Sequence, residues 1–142
     1  MTTAEPVAAP QSTITTAATG PSKTAKIVGW IMGIVPVLML LMSAAMKFSQ
    51  NKQVVDGFEH LGWPAKLAIT LGILELACTF IYLIPRTAVL GAILLTGYLG
   101  GAIATHVRIS EGFIPPLMLG ILLWGSLYLR DPRLRALIPF RS

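Results

Sequence analysis

Four long apolar stretches alternate with short polar segments along this chain. The stretches cover residues 27–46, 67–84, 88–105 and 113–129 and are 17 to 20 residues long; the second contains the only charged residue among them, Glu75. A helix needs a run of about this length to cross the hydrocarbon core of a bilayer. The pattern therefore predicts an all-α membrane protein, a bundle of four transmembrane helices.

A short amphipathic segment joins the first two predicted spans. Between residues 47 and 64, apolar side chains recur at helical spacing, at Val54, Val55, Phe58 and Leu61. This spacing is typical of a helix with one buried face. Trp63 follows, and tryptophan favours the headgroup region of a membrane. We therefore expect a short interfacial helix between spans one and two.

The two ends of the chain differ from its middle. Residues 1–26 are rich in Ala, Thr, Pro and Ser, so we expect a disordered N-terminal tail. Residues 27–130 form the predicted membrane domain, and residues 131–142 a short basic C-terminal tail. Residues 43–45, Ser-Ala-Ala, resemble a signal-peptide cleavage site, but the preceding apolar run of 20 residues is longer than a usual signal core and favours a span.

The composition agrees with a membrane protein. Hydrophobic residues make up 54% of the 142 residues and charged residues 12%, against about 25% charged residues in soluble domains. The net charge of +5 is spread along the chain and does not form a patch typical of nucleic-acid binding.

The basic residues flank the predicted spans unequally. Alternating spans place seven of them on one side of the membrane and four on the other, which predicts a multi-pass protein of the cytoplasmic membrane with both termini in the cytoplasm. The first group is Lys23, Lys26, Arg86, Arg130, Arg133, Arg135 and Arg141, and the second is Lys47, Lys52, Lys66 and Arg108.

Glu75 is the strongest functional candidate, because a charge at the centre of a span costs roughly 2.5 to 3.5 kcal/mol on insertion scales. Protonation, a basic partner or a water-filled cavity would offset that cost. Lys47, His106 and Arg108 end spans one and three on the same predicted side. Glu75 lies roughly 12 to 16 Å below the start of its span, so Lys47 reaches it only from inside the bundle. We expect these four residues to form a ligand-binding site, while the alternative is a structural polar knot.

Further polar residues are expected to line this site. Cys78, Thr79 and Tyr82 share a side of the predicted helix with Glu75, and Tyr98 lies on span three. No Cys-x-x-Cys pair, metal-binding spacing, phosphate-binding loop or nucleophile elbow occurs in the sequence. The chain therefore has no self-contained catalytic motif and no predicted metal. Small residues at 97 and 101 favour close helix packing within the bundle or in a homo-oligomer.

Several short motifs together resemble the DoxX-like family of small four-span membrane proteins. They occur in order over about residues 27–132 and are Lys47-Phe, Leu61-Gly-Trp-Pro64, Gly72-Ile-Leu-Glu-Leu76, Pro85, Gly101-Ala-Ile-x-x-His106 and Arg130-Asp-Pro132. The family takes its name from a subunit of a thiosulfate:quinone oxidoreductase, and its relatives occur near redox systems. Its recurrent Lys, Glu and His correspond to Lys47, Glu75 and His106.

Two functions remain open at this point. The resemblance implies an accessory subunit of a membrane oxidoreductase that binds a quinone or another small redox partner, with electrons supplied by a partner protein. The alternative is a structural or scaffold subunit in the lipid bilayer that binds no ligand.

Overall fold

The computed structural model describes residues 22–137, and all the regular secondary structure in that range is helical. The predicted N-terminal tail up to residue 21, and residues 138–142 of the predicted C-terminal tail, lie outside the described residues. The six helices are α1 (Lys23–Ser49), α2 (Lys52–His60), α3 (Leu67–Leu83), α4 (Ala88–Arg108), α5 (Ile114–Arg130) and α6 (Pro132–Leu137).

Helices α1, α3, α4 and α5 correspond to the four apolar stretches. Helix α1 begins one turn earlier than the apolar run, because the Ser22 hydroxyl accepts a hydrogen bond from the Ala25 amide at 3.2 Å and caps the first turn. It also continues past Lys47 to Ser49 and ends at Gln50, whose φ of 45° is left-handed. The basic segment after Arg130, expected to be a tail, contains α6.

The four long helices pack side by side in the cyclic order α1, α3, α4, α5. Their contacts show that neighbours are antiparallel. Gly29 near the start of α1 faces Arg130 at the end of α5, and Gly33 faces Ser126 one turn before it. We call the end of the fold that holds α2 and the last turns of α1 and α4 the Lys47 end, and the opposite end the Arg130 end.

Glycines set the closest approach between helices at the turn from α3 to α4. A Cβ placed at Gly91 would lie 2.2 Å from the Tyr82 backbone nitrogen, so only glycine fits there. The glycines expected to mediate close packing, Gly97 and Gly101, have no heavy atom within 4 Å of such a Cβ in the described part of the chain. The helices that the structure describes therefore do not approach one another closely at this pair.

The outer surface of the four long helices is apolar. Large side chains such as Trp30, Ile34, Phe80 and Ile121 are half or more exposed. Helices α1 and α4 are long and apolar enough to cross a membrane, while α3 and α5 are shorter apolar helices of 17 residues each. A surface of this kind is stable in contact with lipid and costly in water.

Helix α2 covers the Lys47 end next to the start of α3. Its apolar face buries Val54 and Phe58 against Ala68, as the spacing of the apolar residues predicts. The Asn51 side chain caps its first turn by accepting from the Val54 amide at 2.9 Å. The chain then turns at Gly62, whose φ of +72° favours glycine.

Candidate functional site

Lys47 and Glu75 form an ion pair between α1 and α3. Lys47 Nζ lies 2.9 Å from Glu75 Oε2 and donates a second hydrogen bond to Ser43 Oγ at 2.6 Å. The Ser43 hydroxyl donates to the same carboxylate oxygen at 3.4 Å. Tyr98 of α4 lines the same cavity as Glu75. The expected pairing of Lys47 with Glu75 is thus present, and together with Ser43 it joins α1 to α3.

The local sequence explains how the lysine reaches the depth of the glutamate. Because α1 continues to Ser49, Lys47 lies within the helix, and Ser43 lies on the same face one turn before it. Gly72, one turn before Glu75, allows α1 to approach α3, since a Cβ there would lie 3.3 Å from Lys47 Cβ. The side chain of Glu75 is 2% exposed and that of Lys47 16%, so the pair is largely removed from solvent.

This ion pair lies in the wall of a large cavity of about 880 Å³ between helices α1 to α5. That volume lies within the range of typical small-molecule sites. The wall is mostly apolar, and some of its members, such as Met39, Met42 and Leu74, are exposed on the outside of the helices, so the cavity opens to the surroundings. The polar side chains in the lining are Ser43, Lys47, Gln53, Thr70, Glu75, Tyr98, Thr105 and His106.

His106 lines the same cavity from the last turn of α4. Its Nδ1 lies 2.8 Å from the Ala102 carbonyl oxygen. A carbonyl can only accept, so Nδ1 carries the proton and, in the neutral ring, Nε2 is left as an acceptor. Nε2 has no hydrogen-bond partner among residues 22–137. His106 is therefore in the cavity with Glu75 and Lys47 but makes no direct bond with either.

Arg108 lies outside the cavity lining. One of its Nη atoms donates to the Leu61 carbonyl, and its guanidinium lies 6.0 Å from the centre of the Trp63 ring. Nearby, His60 Nε2 lies 2.7 Å from Glu111 Oε1. These contacts join the end of α2 to the end of α4 and the following loop, so Arg108 holds the helix that covers the cavity.

The three expected lining residues on α3 share its buried face with Glu75 but lie beyond the cavity, toward the Arg130 end. Cys78 is 3% exposed and packs in the apolar core, and the Thr79 hydroxyl donates to the Glu75 backbone carbonyl at 2.7 Å. Tyr82 lies two turns from Glu75 toward the Arg130 end, where its hydroxyl lies 3.3 Å from Ser126 Oγ. None of the three is in the lining of the cavity beside Glu75. Of the eight residues expected at the site, the cavity brings together Glu75, Lys47, His106 and Tyr98.

Ser43 and Trp63 were not expected in this site. Ser43 forms hydrogen bonds with both members of the ion pair. Its position four residues before Lys47, on the same face of a helix, is the feature of the sequence from which this contact could have been predicted. Trp63 lines the cavity next to α2. Its role as a wall residue depends on how α2 folds back, which a pattern of apolar residues does not specify.

The fold and the site together indicate the class of this protein: a small helical membrane protein with a polar cluster in an open cavity. The chain belongs to the DoxX-like family, whose profile matches residues 31–126. The matched range runs from α1 into α5 and contains Lys47, Glu75 and His106, so the resemblance of the motifs is confirmed. The comparisons with curated proteins and with solved structures find no match.

Proposed function

We propose that this DoxX-like protein binds a small amphiphilic molecule of the quinone type in the cavity beside Glu75, as an accessory subunit of a membrane redox system. The observation that carries the proposal is an ion pair set in the wall of a wide, mostly apolar cavity that opens to the outside of the helices. Such a site offers hydrogen bonds to a polar head and apolar surface to a ring and tail.

The polar side chains fit both forms of a quinone. Lys47 uses two of the three N–H donors of its ammonium on Ser43 and Glu75, which leaves one for a quinone carbonyl. His106 Nε2 is an acceptor for a quinol hydroxyl. The chain offers no electron carrier in its sequence, so a partner protein would supply or remove the electrons.

The proposal includes four membrane spans. Helices α3 and α5 have 17 residues each, near the lower limit for a span. They pack between α1 and α4, whose hydropathy and length suit a membrane. Four antiparallel spans place both ends of the described chain on the same side.

Charge at the two ends of the fold supports a cytoplasmic location for the Arg130 end. Its described residues include six basic side chains and one acidic side chain, whereas the Lys47 end has three basic and three acidic side chains beyond the buried pair. Cytoplasmic segments carry an excess of Lys and Arg. The Arg130 end holds Lys23, Lys26, Arg86, Arg130, Arg133, Arg135 and Asp131; the Lys47 end holds Lys52, Lys66, Arg108, Asp56, Glu59 and Glu111.

A structural role is the competing function, and one observation favours it. Every buried side-chain nitrogen or oxygen among the described residues has a hydrogen-bond partner. The hydrogen-bonding groups of the ion pair are therefore satisfied within the protein. The pair would hold α1 against α3 even if the cavity contained no ligand. The test must separate loss of a ligand from loss of helix packing.

Blocking the cavity without touching the ion pair makes that separation. Gly101 lines this cavity and has open space around it, whereas the adjacent Gly100 has equal space but lines a different groove, so Gly101→Leu and Gly100→Leu form a matched pair. The full chain in nanodiscs is titrated with a short-chain ubiquinone, and quenching of tryptophan fluorescence reports binding. A Trp63→Phe variant assigns the signal, because Trp63 lies in the cavity wall.

We expect saturable quenching in the wild type and in Gly100→Leu, and its loss in Gly101→Leu and in Glu75→Gln. Glu59→Gln, the same exchange at an exposed carboxylate outside both ion pairs, should bind as the wild type does. Equal quenching in Gly101→Leu and Gly100→Leu would mean that the quinone only partitions into lipid, and the structural role would stand.

A further inference from the structure

A second polar cluster lies at the Arg130 end and is built around one arginine. The Arg130 guanidinium lies over the Trp30 ring of α1, 4.4 Å from its centre, and 5.7 Å from the centre of the Tyr82 ring of α3. One Nη donates to the Tyr82 hydroxyl at 3.1 Å, and Nε donates to the Ser126 carbonyl at 3.4 Å. Contacts with three helices therefore fix the position of this side chain.

Two glycines of α1 make room for the cluster. A Cβ at Gly29 would lie 2.8 Å from Arg130 Cγ, and a Cβ at Gly33 would lie 2.5 Å from Ser126 Oγ. Both distances are shorter than side chains tolerate. The close packing of α1 on α5 at this point thus depends on the same residues that hold the arginine.

The arginine has no negatively charged partner in the described part of the chain. The two ion pairs found within residues 22–137 are Lys47 with Glu75 and His60 with Glu111. The neighbouring carboxylate of Asp131 accepts from the Arg133 amide at 2.8 Å. Of the five N–H donors of a guanidinium, two are used within residues 22–137. Because no buried side-chain nitrogen in the described residues lacks a partner, the other three donors are accessible and can bind an anion from outside the chain.

The location specifies the chemistry of that anion. Arg130 ends an apolar helix beside Trp30, which is 53% exposed, and tryptophan at a helix end favours the headgroup region. Lys26 lies one turn before Trp30 on α1 and adds a second cation on the same side of that helix. A phosphate group at headgroup depth matches the flat, forked guanidinium, which binds two phosphate oxygens at once.

We propose that Arg130, Trp30 and Lys26 form a binding site for the phosphate of an anionic phospholipid in the adjacent leaflet. The excess of basic residues at this end favours an anionic over a zwitterionic lipid. The site rests on the proposal that the helices span the membrane but is independent of any ligand in the cavity beside Glu75. A lipid bound at this site would stabilise the packing of α1, α3 and α5 at this end, because Arg130 contacts residues of all three helices.

Native mass spectrometry of the full chain in neutral detergent tests the site, with phosphatidylglycerol and phosphatidylcholine of equal chain length added at equal concentration. The ratio of the two bound lipids is independent of how stable each variant is. We expect the wild type to favour phosphatidylglycerol by roughly tenfold, because both lipids offer the same phosphate oxygens to Arg130 but the basic side chains repel the choline cation of phosphatidylcholine. Arg130→Gln should lower the ratio toward one. Arg130→Lys, which keeps the charge but loses the fork, should keep the wild-type ratio within about twofold and bind less of both lipids.

The control variants separate a built site from general charge. Arg133→Gln removes an exposed charge at the same end, and Arg108→Gln removes one at the Lys47 end; both should keep the wild-type ratio within about twofold, since surface charges act weakly. If Arg133→Gln lowers the ratio as far as Arg130→Gln, or if Arg130→Gln leaves it unchanged, the site is refuted. Glu75→Gln should not alter this ratio, so a failure here is distinct from a failure of the cavity proposal.

Discussion

A double-mutant cycle on Lys47 and Glu75 tests whether the ion pair between α1 and α3 contributes to stability as a unit. The changes are Lys47→Met, Glu75→Gln and the two combined. Methionine keeps the length and apolar character of the lysine stem, and glutamine keeps the shape of the glutamate. Each single change leaves the other partner in place, and the double change removes both charges together.

The expected magnitudes follow from the burial of each partner. After Lys47→Met, the Glu75 side chain, 2% exposed, keeps only the Ser43 hydroxyl as a donor within residues 22–137. Breaking a fully buried pair costs about 3 to 5 kcal/mol, and we expect about 2 to 3 kcal/mol here because the pair borders an open cavity. Glu75→Gln should cost about 1 to 2 kcal/mol, since the glutamine carbonyl still accepts from Lys47 and Ser43.

The free energy of unfolding in mixed detergent micelles, followed by circular dichroism, gives the four corners of the cycle. We expect the double variant to be more stable than the sum of the single changes predicts, by about 1 to 2 kcal/mol. Lys66→Met and Glu59→Gln, the same exchanges at exposed positions, should each shift stability by less than about 0.5 kcal/mol. Additivity of the Lys47 and Glu75 changes within about 0.5 kcal/mol would refute the coupling.

Two further predictions concern packing and orientation. Gly91→Ala should destabilise the protein by about 3 kcal/mol or more, because the added Cβ would clash with the α3 backbone. In the same unfolding assay Gly97→Ala should be near neutral, because the space around Gly97 is open. In a Cys78→Ala background, a cysteine at Ser22 should resist an impermeant thiol reagent in intact cells, and one at Lys66 should react; the reverse pattern would overturn the orientation.

The helices were predictable because each apolar stretch is bounded by strong local signals. Pro85 and the following turn separate α3 from α4, and the boundaries of α3 and α4 fall within a few residues of the apolar runs. The start of α1 was harder to predict from the sequence, since the helix begins on polar residues after the Ser22 cap. Helix α6 was missed because its single buried residue, Leu134, makes no periodic pattern.

The candidate site was predictable in part. A charge within an apolar helix needs compensation, so Glu75 and a cation from a neighbouring helix could be expected to meet. The sequence does not show how far the cavity extends along α3. Tyr82 lies on the same buried face as Glu75, but two turns further along it belongs to a separate cluster with Arg130. The same limit applies to Cys78, which shares a helix side with Glu75 but packs in the core.

Mass spectrometry of the lipid extract from the purified protein tests the central claim most directly. The account predicts a quinone-type molecule in the extract of the wild type and of Gly100→Leu, in a fixed ratio to protein, and its depletion from Gly101→Leu, whose added side chain enters the cavity beside Glu75. Extracts of the same composition from all three proteins, with no quinone enriched over the membrane background, would contradict it.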